Sequence, residues 1–208
     1  KQPGKLFPGV GMVFQYPEQQ LFAETVFEEV AFALKCHGVP EEKHKEAVDR
    51  ALKEVGLNPA SFSERNPFML SGGEKRRVAI ASVLVMEPQI LIFDEPSAGL
   101  DLRGKAFVSA LARRQQQKGV TVIWVTHHME EAAELADKII VLQKGNLLAC
   151  GDAESVFHDA TVAEAGLDLP DAARLQRELS ARQAPIPARA VRIEDALQEI
   201  IEWKKGGV

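Results

Sequence analysis

The stretch ILIFDEPSAGLD, residues 90–101, decides the fold. Ile90 to Phe93 form an unbroken apolar run that ends directly on two carboxylates, Asp94 and Glu95. A short β-branched run of this kind predicts a strand inside a parallel sheet, and in such sheets ligands gather beyond the strands' C-terminal ends. Asp94 and Glu95 therefore stand where a site would be. Neighbouring residues of an extended chain point opposite ways, so the two need not share a role. One can hold Mg²⁺ through its water shell while the other faces an attacking water. The same pattern also fits a strand that ends in a polar turn, with Asp94 capping the next helix.

Working outward, VTVIWVT (120–126) and KIIVLQKG (138–145) are two further apolar runs with little alternation. That is the pattern of strands covered on both faces. Between the first two strands, RGKAFVSALARRQQQKG (103–119) is helical in pattern and stops at Gly119. A short helix from Glu130 to Ala136 precedes the third, so strand and helix alternate as in a wound α/β sheet. Upstream, TVFEEVAFALKCHG (25–38) and PEEKHKEAVDRALKEVGL (40–57) are helical, the second running from Pro40 to Gly56. Its Ala47, Val48, Ala51, Leu52 and Val55 give it one apolar face. Beyond Gly151 the pattern changes again: two amphipathic helices, within 168–182 and 192–205, are joined by the Pro-rich QAPIPAR (183–189).

Among the 208 residues, 46 % are hydrophobic and 26 % charged, ordinary for a globular protein with a substantial core. A net charge of −5 gives no reason to expect a nucleic-acid binder driven by bulk charge. Lys75, Arg76 and Arg77 form a local basic cluster, readable as anion contacts or as a solvated helix face. Cys36 and Cys150 are far apart and have no metal-ligand spacing, so buried, inert thiols in a reducing compartment are expected. No apolar run approaches the roughly eighteen residues of a membrane span, and no charged-then-apolar leader opens the chain. A cytosolic protein, or one held on a membrane by a partner, is expected.

Three more stretches carry chemistry. In FMLSGGEKRRVAIASVL (68–84), Ser71 can cap the following helix and leave the first N–H groups of Gly72, Gly73 and Glu74 for an oxyanion; a plain capped helix is the other reading. In THHME (126–130), His127 ends a strand, where an imidazole can hydrogen-bond a phosphate or serve structure alone, with His128 as a solvent-facing neighbour. In VFQYPEQQLF (13–22), Gln15 follows a strand and precedes Pro17; its amide can ligate a metal or position water, or simply lie in a strand-to-helix turn.

Taken in order, these stretches resemble the ATP-binding subunits of ABC transporters. LSGGE (70–74) is similar to the family signature, ILIFDE (90–95) to the Walker B strand and SAGLD (97–101) to the D-loop. Gln15 falls at the Q-loop position and His127 at the switch position. FQYPEQQLF, the full LSGGEKRRVAIA run and the C-terminal AGLDLPDAARL further resemble the energy-coupling factor group, importers of vitamins and of metal ions such as cobalt. The resemblance implies an ATPase using ATP and Mg²⁺. In it Glu95 polarises the hydrolytic water, Asp94 serves Mg²⁺, His127 contacts the γ-phosphate and Gln15 senses metal and water. Ser71, Gly72, Gly73 and Glu74 would meet ATP held by a second ATPase subunit, with Asp101 working across the same dimer interface. The implied partners are that subunit, identical or sister, and an integral membrane component docked on the helical layer. That places the chain peripherally on the cytoplasmic face of the membrane.

The implied fold is α/β, a P-loop NTPase-like (RecA-like) wound sheet. Residues 1–16 and 86–150 would form the partial ATPase core, 17–85 an inserted helical subdomain with the signature, and 151–208 a small C-terminal helical appendage. The phosphate loop G-x-x-x-x-G-K-[ST] occurs nowhere in the sequence, and Gly4-Lys5 has neither its spacing nor its Ser or Thr. The N-terminal part of the fold is thus expected to be missing, and this chain alone to neither hold Mg-ATP tightly nor hydrolyse it. Two alternatives stand: another ABC ATPase, from an ordinary importer or a soluble one, or a non-catalytic fragment supplying only the signature half-site. A DNA-maintenance ATPase is disfavoured because no long coiled coil separates Gln15 from Leu70.

Overall fold

A computed structural model describes residues 9–182 and 190–206, which fall into two compact units divided in sequence between Val125 and Thr126. The Gly4-Lys5 pair and the Pro-rich QAPIPAR joint lie outside the described residues.

The first unit opens with β1 (Val10–Val13) and a 3-10 turn at Pro17–Gln20. Helices α1 (Val26–Cys36), α2 (His44–Glu54) and α3 (Pro59–Phe62) follow, then a second 3-10 turn at Pro67–Met69 and α4 (Gly72–Leu84). The chain re-enters the sheet as β2 (Ile90–Asp94), leaves as α5 (Leu102–Gln117) and returns as β3 (Thr121–Val125). The strands are parallel in the order β1-β2-β3, so the strand bearing Asp94 is central, with Met12 opposite Ile92 and Phe93 opposite Trp124. The expected α/β class is borne out.

Helix α4 is the hub of this unit, with α1, α2, the first 3-10 turn and β1 all packed around it. Val78, Ala79, Ile80, Ala81 and Leu84 are buried, so the helix has no single apolar stripe, as befits one enclosed on most sides. The predicted face of α2 packs as read: Val48, Leu52 and Val55 are fully buried, each side chain stabilising the unit by about 1.5–3 kcal/mol. The α-helix begins at His44 rather than Pro40, because Pro40 is extended and Glu41–Lys43 form a 3-10 turn. Gly11 lets β1 lie directly on α4, since a Cβ there would come within 2.7 Å of Val83 Cγ1.

Only one face of the described sheet is covered. Val13, Leu91 and Phe93 are buried, with the Trp124 ring 5.3 Å from that of Phe93, while Val10, Met12, Ile123 and Val125 on the other face are exposed. Apolar residues on both faces had suggested double coverage. Burial instead alternates with period two, because among the described residues the packing helices lie on one side.

The second unit begins with α6 (Met129–Leu135) and a hairpin, β4 (Ile139–Gln143) and β5 (Asn146–Gly151). Lys144 and Gly145 both have positive φ, the two-residue turn that matches strand twist. KIIVLQKG is thus a strand as expected, but it pairs antiparallel with β5 in a separate ladder instead of joining the parallel sheet. The second strand went unread because NLLACG lies directly behind a tight turn and shows no buried, alternating face. Short helices α7 (Ala153–Phe157) and α8 (Ala160–Glu164), capped by Asp152 and Asp159, precede α9 (Asp171–Ala181) and α10 (Ile193–Gly206). Met129, Ala133, Ile139, Val141, Val156, Phe157 and Val162 form the core, and Arg192 Nε donates to the Ala133 carbonyl at 3.0 Å. Ile193, Leu197 and Ile201, four residues apart on α10, remain exposed. Both cysteines are free and exposed, correcting the expectation of buried thiols: Cys36 closes α1 on its outer side, and Cys150 lies on the open face of the hairpin.

Candidate functional site

Strand β2 delivers Asp94 and Glu95 to the C-terminal edge of the sheet, and the backbone changes there. Asp94 is the last strand residue and is half-buried. Glu95 has φ +46, the left-handed region that a side chain other than glycine's rarely adopts. Its N–H still donates to Val125 O at 2.9 Å, so the sheet fixes it on one side while the chain turns away on the other. The pair is therefore not two successive extended residues; strain at Glu95 sets the direction of its side chain. Nor does Asp94 cap the next helix. That role falls to Asp101, whose Oδ1 accepts from Gly104 N at 2.8 Å at the start of α5.

Between Glu95 and Asp101 the chain makes two overlapping turns, with Ala98 N donating to Glu95 O and Leu100 N to Ser97 O, both at 3.1 Å. Gly99, at φ +71, closes the second turn, and a Cβ on it would lie 3.8 Å from the Tyr16 ring. The turn after Glu95 and the segment after Gln15 are thus neighbours. Gln15 itself lies two residues past β1, with its side chain exposed.

Helix α4 begins with a complete capping box: Glu74 N donates to Ser71 Oγ at 3.4 Å, and Glu74 Oε2 accepts from Ser71 N at 2.8 Å and from Ser71 Oγ at 2.7 Å. The hydroxyl contributes most in holding the Glu74 carboxyl below its ordinary value, the Ser71 backbone N–H next. This corrects the count of donors open to an anion. The N–H of Glu74 is engaged, and only those of Gly72 and Gly73 have no acceptor among the described residues. A Cβ on either glycine would meet nothing within 4 Å, so an incoming group can approach both amides closely.

His127 belongs to the second unit, two residues past the end of β3, and is exposed. His128, expected to face solvent, is the more buried of the two; it stands at the start of α6, its N–H donating to Thr126 Oγ1 at 3.0 Å. The two imidazoles lie 4.3 Å apart.

One residue beside the site was misjudged in sequence. Arg76, read with Lys75 and Arg77 as a basic cluster, is only 6 % exposed. Its Nη2 donates to Gln15 O at 3.0 Å and Pro96 O at 2.6 Å, and its Nη1 to Ala98 O at 3.3 Å. Burial pushes its pKa down, while the nearby Glu18 and Tyr16 hold it up. The signal was phase: Arg76 lies three and four residues before Ala79 and Ile80, both buried on the same face of α4. Arg77 behaves differently, its guanidinium stacking over the Phe107 ring at 4.4 Å.

Mg²⁺ would be suited by a hard oxygen ligand with lone pairs to spare. The Asp94 carboxylate is half-buried, at a strand end, and makes no hydrogen bond or ion pair among the described residues, so it fits that demand.

Residues 4–98 match the ABC transporter family. The chain is 44 % identical over 199 residues to the energy-coupling factor transporter ATP-binding protein EcfA2 of Caldanaerobacter subterraneus, covering 95 % of this chain and 69 % of that protein. The protein of the same name from Clostridium acetobutylicum is 42 % identical, over 92 % of this chain and 68 % of its own length. Among solved structures, cbiO1 of Clostridium perfringens, described as part of the ABC transporter complex cbiONQ, aligns with a TM-score of 0.64 at 36 % identity, covering 82 % of this chain and 68 % of that one.

Proposed function

Since this chain belongs to the ATP-binding proteins of energy-coupling factor transporters, within the ABC transporter ATPases, we propose that it powers uptake of a vitamin or a transition-metal ion. Glu95 polarises the water that attacks the γ-phosphate, and Gln15 positions that water and moves with the helical subdomain. Asp94 holds Mg²⁺, which when bound neutralises charge on the phosphates. His127 contributes a hydrogen bond to the γ-phosphate. Ser71, Gly72, Gly73 and Glu74 open the helix that meets ATP held by a second ATPase subunit, and Asp101 works at the same interface. The observation that carries the reading is the Asp94–Glu95 pair at the end of the central strand, with Glu95 held at φ +46.

The subunit docks on an integral membrane component through its helical subdomain and sits on the cytoplasmic face of the membrane. In support, Phe22, Phe32, Phe68 and Met69 are exposed in that region, and no described helix is long and apolar enough to cross a membrane. The exposed row Ile193, Leu197 and Ile201 supports the C-terminal helices as an ATPase–ATPase contact. No phosphate loop pattern occurs in the 208 residues, so a polypeptide of these residues alone should fail to bind Mg-ATP tightly; micromolar binding by calorimetry would refute that.

The deciding experiment is Glu95→Gln in the assembled transporter. ATP binding is retained and hydrolysis falls by about a hundredfold or more, the scale of a lost general base. Undiminished hydrolysis would remove Glu95 from its role, and failure to co-purify with any membrane protein would remove the transport reading.

A further inference from the structure

We propose that Arg76 is a positioning residue, fixing the Gln15 segment and the turn after Glu95 to the signature helix and to each other through a three-carbonyl clamp. The inference rests on the ATPase reading above but goes past it, since the roles assigned there do not involve Arg76.

Four observations carry it. Arg76 is 6 % exposed in a unit whose surface has ample room for a cation, and a guanidinium goes into such a place only where its donors are met. All three of its acceptors are backbone carbonyls, of Gln15, Pro96 and Ala98, lying 61, 20 and 22 residues away in sequence. Two of them, Gln15 O and Pro96 O, share the single nitrogen Nη2, so one amino group of the side chain holds both segments. Finally, Glu18, in the 3-10 turn just after Gln15, supports the cation at a distance, and its Oε2 is buried with no hydrogen-bond partner.

The geometry suits arginine and no other residue. Its rigid planar fork presents several N–H groups in fixed directions, whereas a lysine ammonium is one point that cannot span carbonyls of separate segments equally well. Arg76 lies one turn into α4, whose first residues are the anion-facing Gly72 and Gly73. A displacement of that helix is thereby handed to both segments that flank the hydrolytic residue. Arg76 touches no reacting atom; it acts through the backbone of Gln15 and of the turn just after Glu95.

The test compares Arg76→Met and Arg76→Lys with the wild type in the assembled transporter, by hydrogen exchange and by ATPase kinetics. For methionine the expected result is faster exchange in residues 16–20 and 97–101 together, with α2 unchanged. Turnover should fall by about ten- to a hundredfold, while the ATP concentration for half-maximal rate moves by less than about threefold. Lysine restores part of both. The proposal is overturned if only one of the two segments loosens, if exchange rises equally throughout the unit, or if turnover per folded molecule stays within about twofold of wild type. Should methionine prevent folding, lysine decides: both segments loosened with reduced turnover upholds the clamp, and wild-type behaviour overturns it. A wild-type transporter without ATPase activity would defeat the ATPase reading instead, and the exchange data alone would then decide on the clamp.

Discussion

Glu29 offers the sharpest test of how the segment after Gln15 is held. It lies in the first turn of α1, is 5 % exposed, and its Oε2 accepts from both Phe22 N and Ala23 N at 2.8 Å. One carboxylate oxygen thus anchors the loop that leads into the helical layer. Hydrogen bonds to a charged group are worth about 1.5–3 kcal/mol each, against about 0.5–1.5 for neutral ones. Phe22 is 58 % exposed, so water reaches part of the loop and the lower end applies. Glu29→Ala, which removes both acceptor interactions, should cost about 3 kcal/mol. Glu29→Gln keeps an oxygen and loses the charge, so each bond falls to the neutral range and the variant should cost about 2 kcal/mol. Urea unfolding followed by circular dichroism reads both as shifts in midpoint at constant slope. The reasoning fails if glutamine costs as much as alanine, or if alanine costs less than about 1 kcal/mol.

Three further predictions follow from the packing and the caps. Gly11→Ala drives a methyl to 2.7 Å from Val83 and should destabilise by about 1–3 kcal/mol, with Val83→Ala in the same chain recovering most of it; no loss in the single variant would contradict the close approach of β1 to α4. The Glu74 carboxyl, titrated by NMR, should have its midpoint below the ordinary 4.5, so the capping box is fully stabilising above 4.5 and lost as pH falls through the folded-state midpoint. Ser71→Ala removes the largest cause but leaves the backbone N–H, so it should raise that midpoint without restoring the ordinary value, and a wild-type midpoint at or above 4.5 would refute the assignment. Asp101→Ala removes the cap of α5 and should cost about 1 kcal/mol, read as a lower unfolding temperature; an unchanged temperature would mean that water serves Gly104 N equally well.

Chain order and local chemistry made much of this molecule legible. Apolar runs ending in Asp94, the 3.6-residue period of Ala47 to Val55 and the Ser71 cap each depend on neighbours in sequence, and each appears in the structure. What could not be read depends on residues far apart. KIIVLQKG pairs with its successor and does not join the parallel sheet, and apolar character alone fits either arrangement. Arg76 is charged, so composition sends it to solvent; only carbonyls brought from residues 15, 96 and 98 make its burial favourable. The left-handed backbone of Glu95 was hidden for the same reason, since no turn-forming glycine or asparagine announces it.

That left-handed conformation has a consequence for engineering. A non-glycine residue there carries roughly 1 kcal/mol of backbone strain that glycine would relieve. Glu95→Gly would relieve that strain but add conformational freedom to the unfolded chain, two effects of similar size, so stability should move by no more than about 1 kcal/mol. The same change removes the carboxylate to which the hydrolytic role is proposed. A screen that reads thermal stability alone is therefore nearly blind at this position, and only one that also scores turnover tests that role.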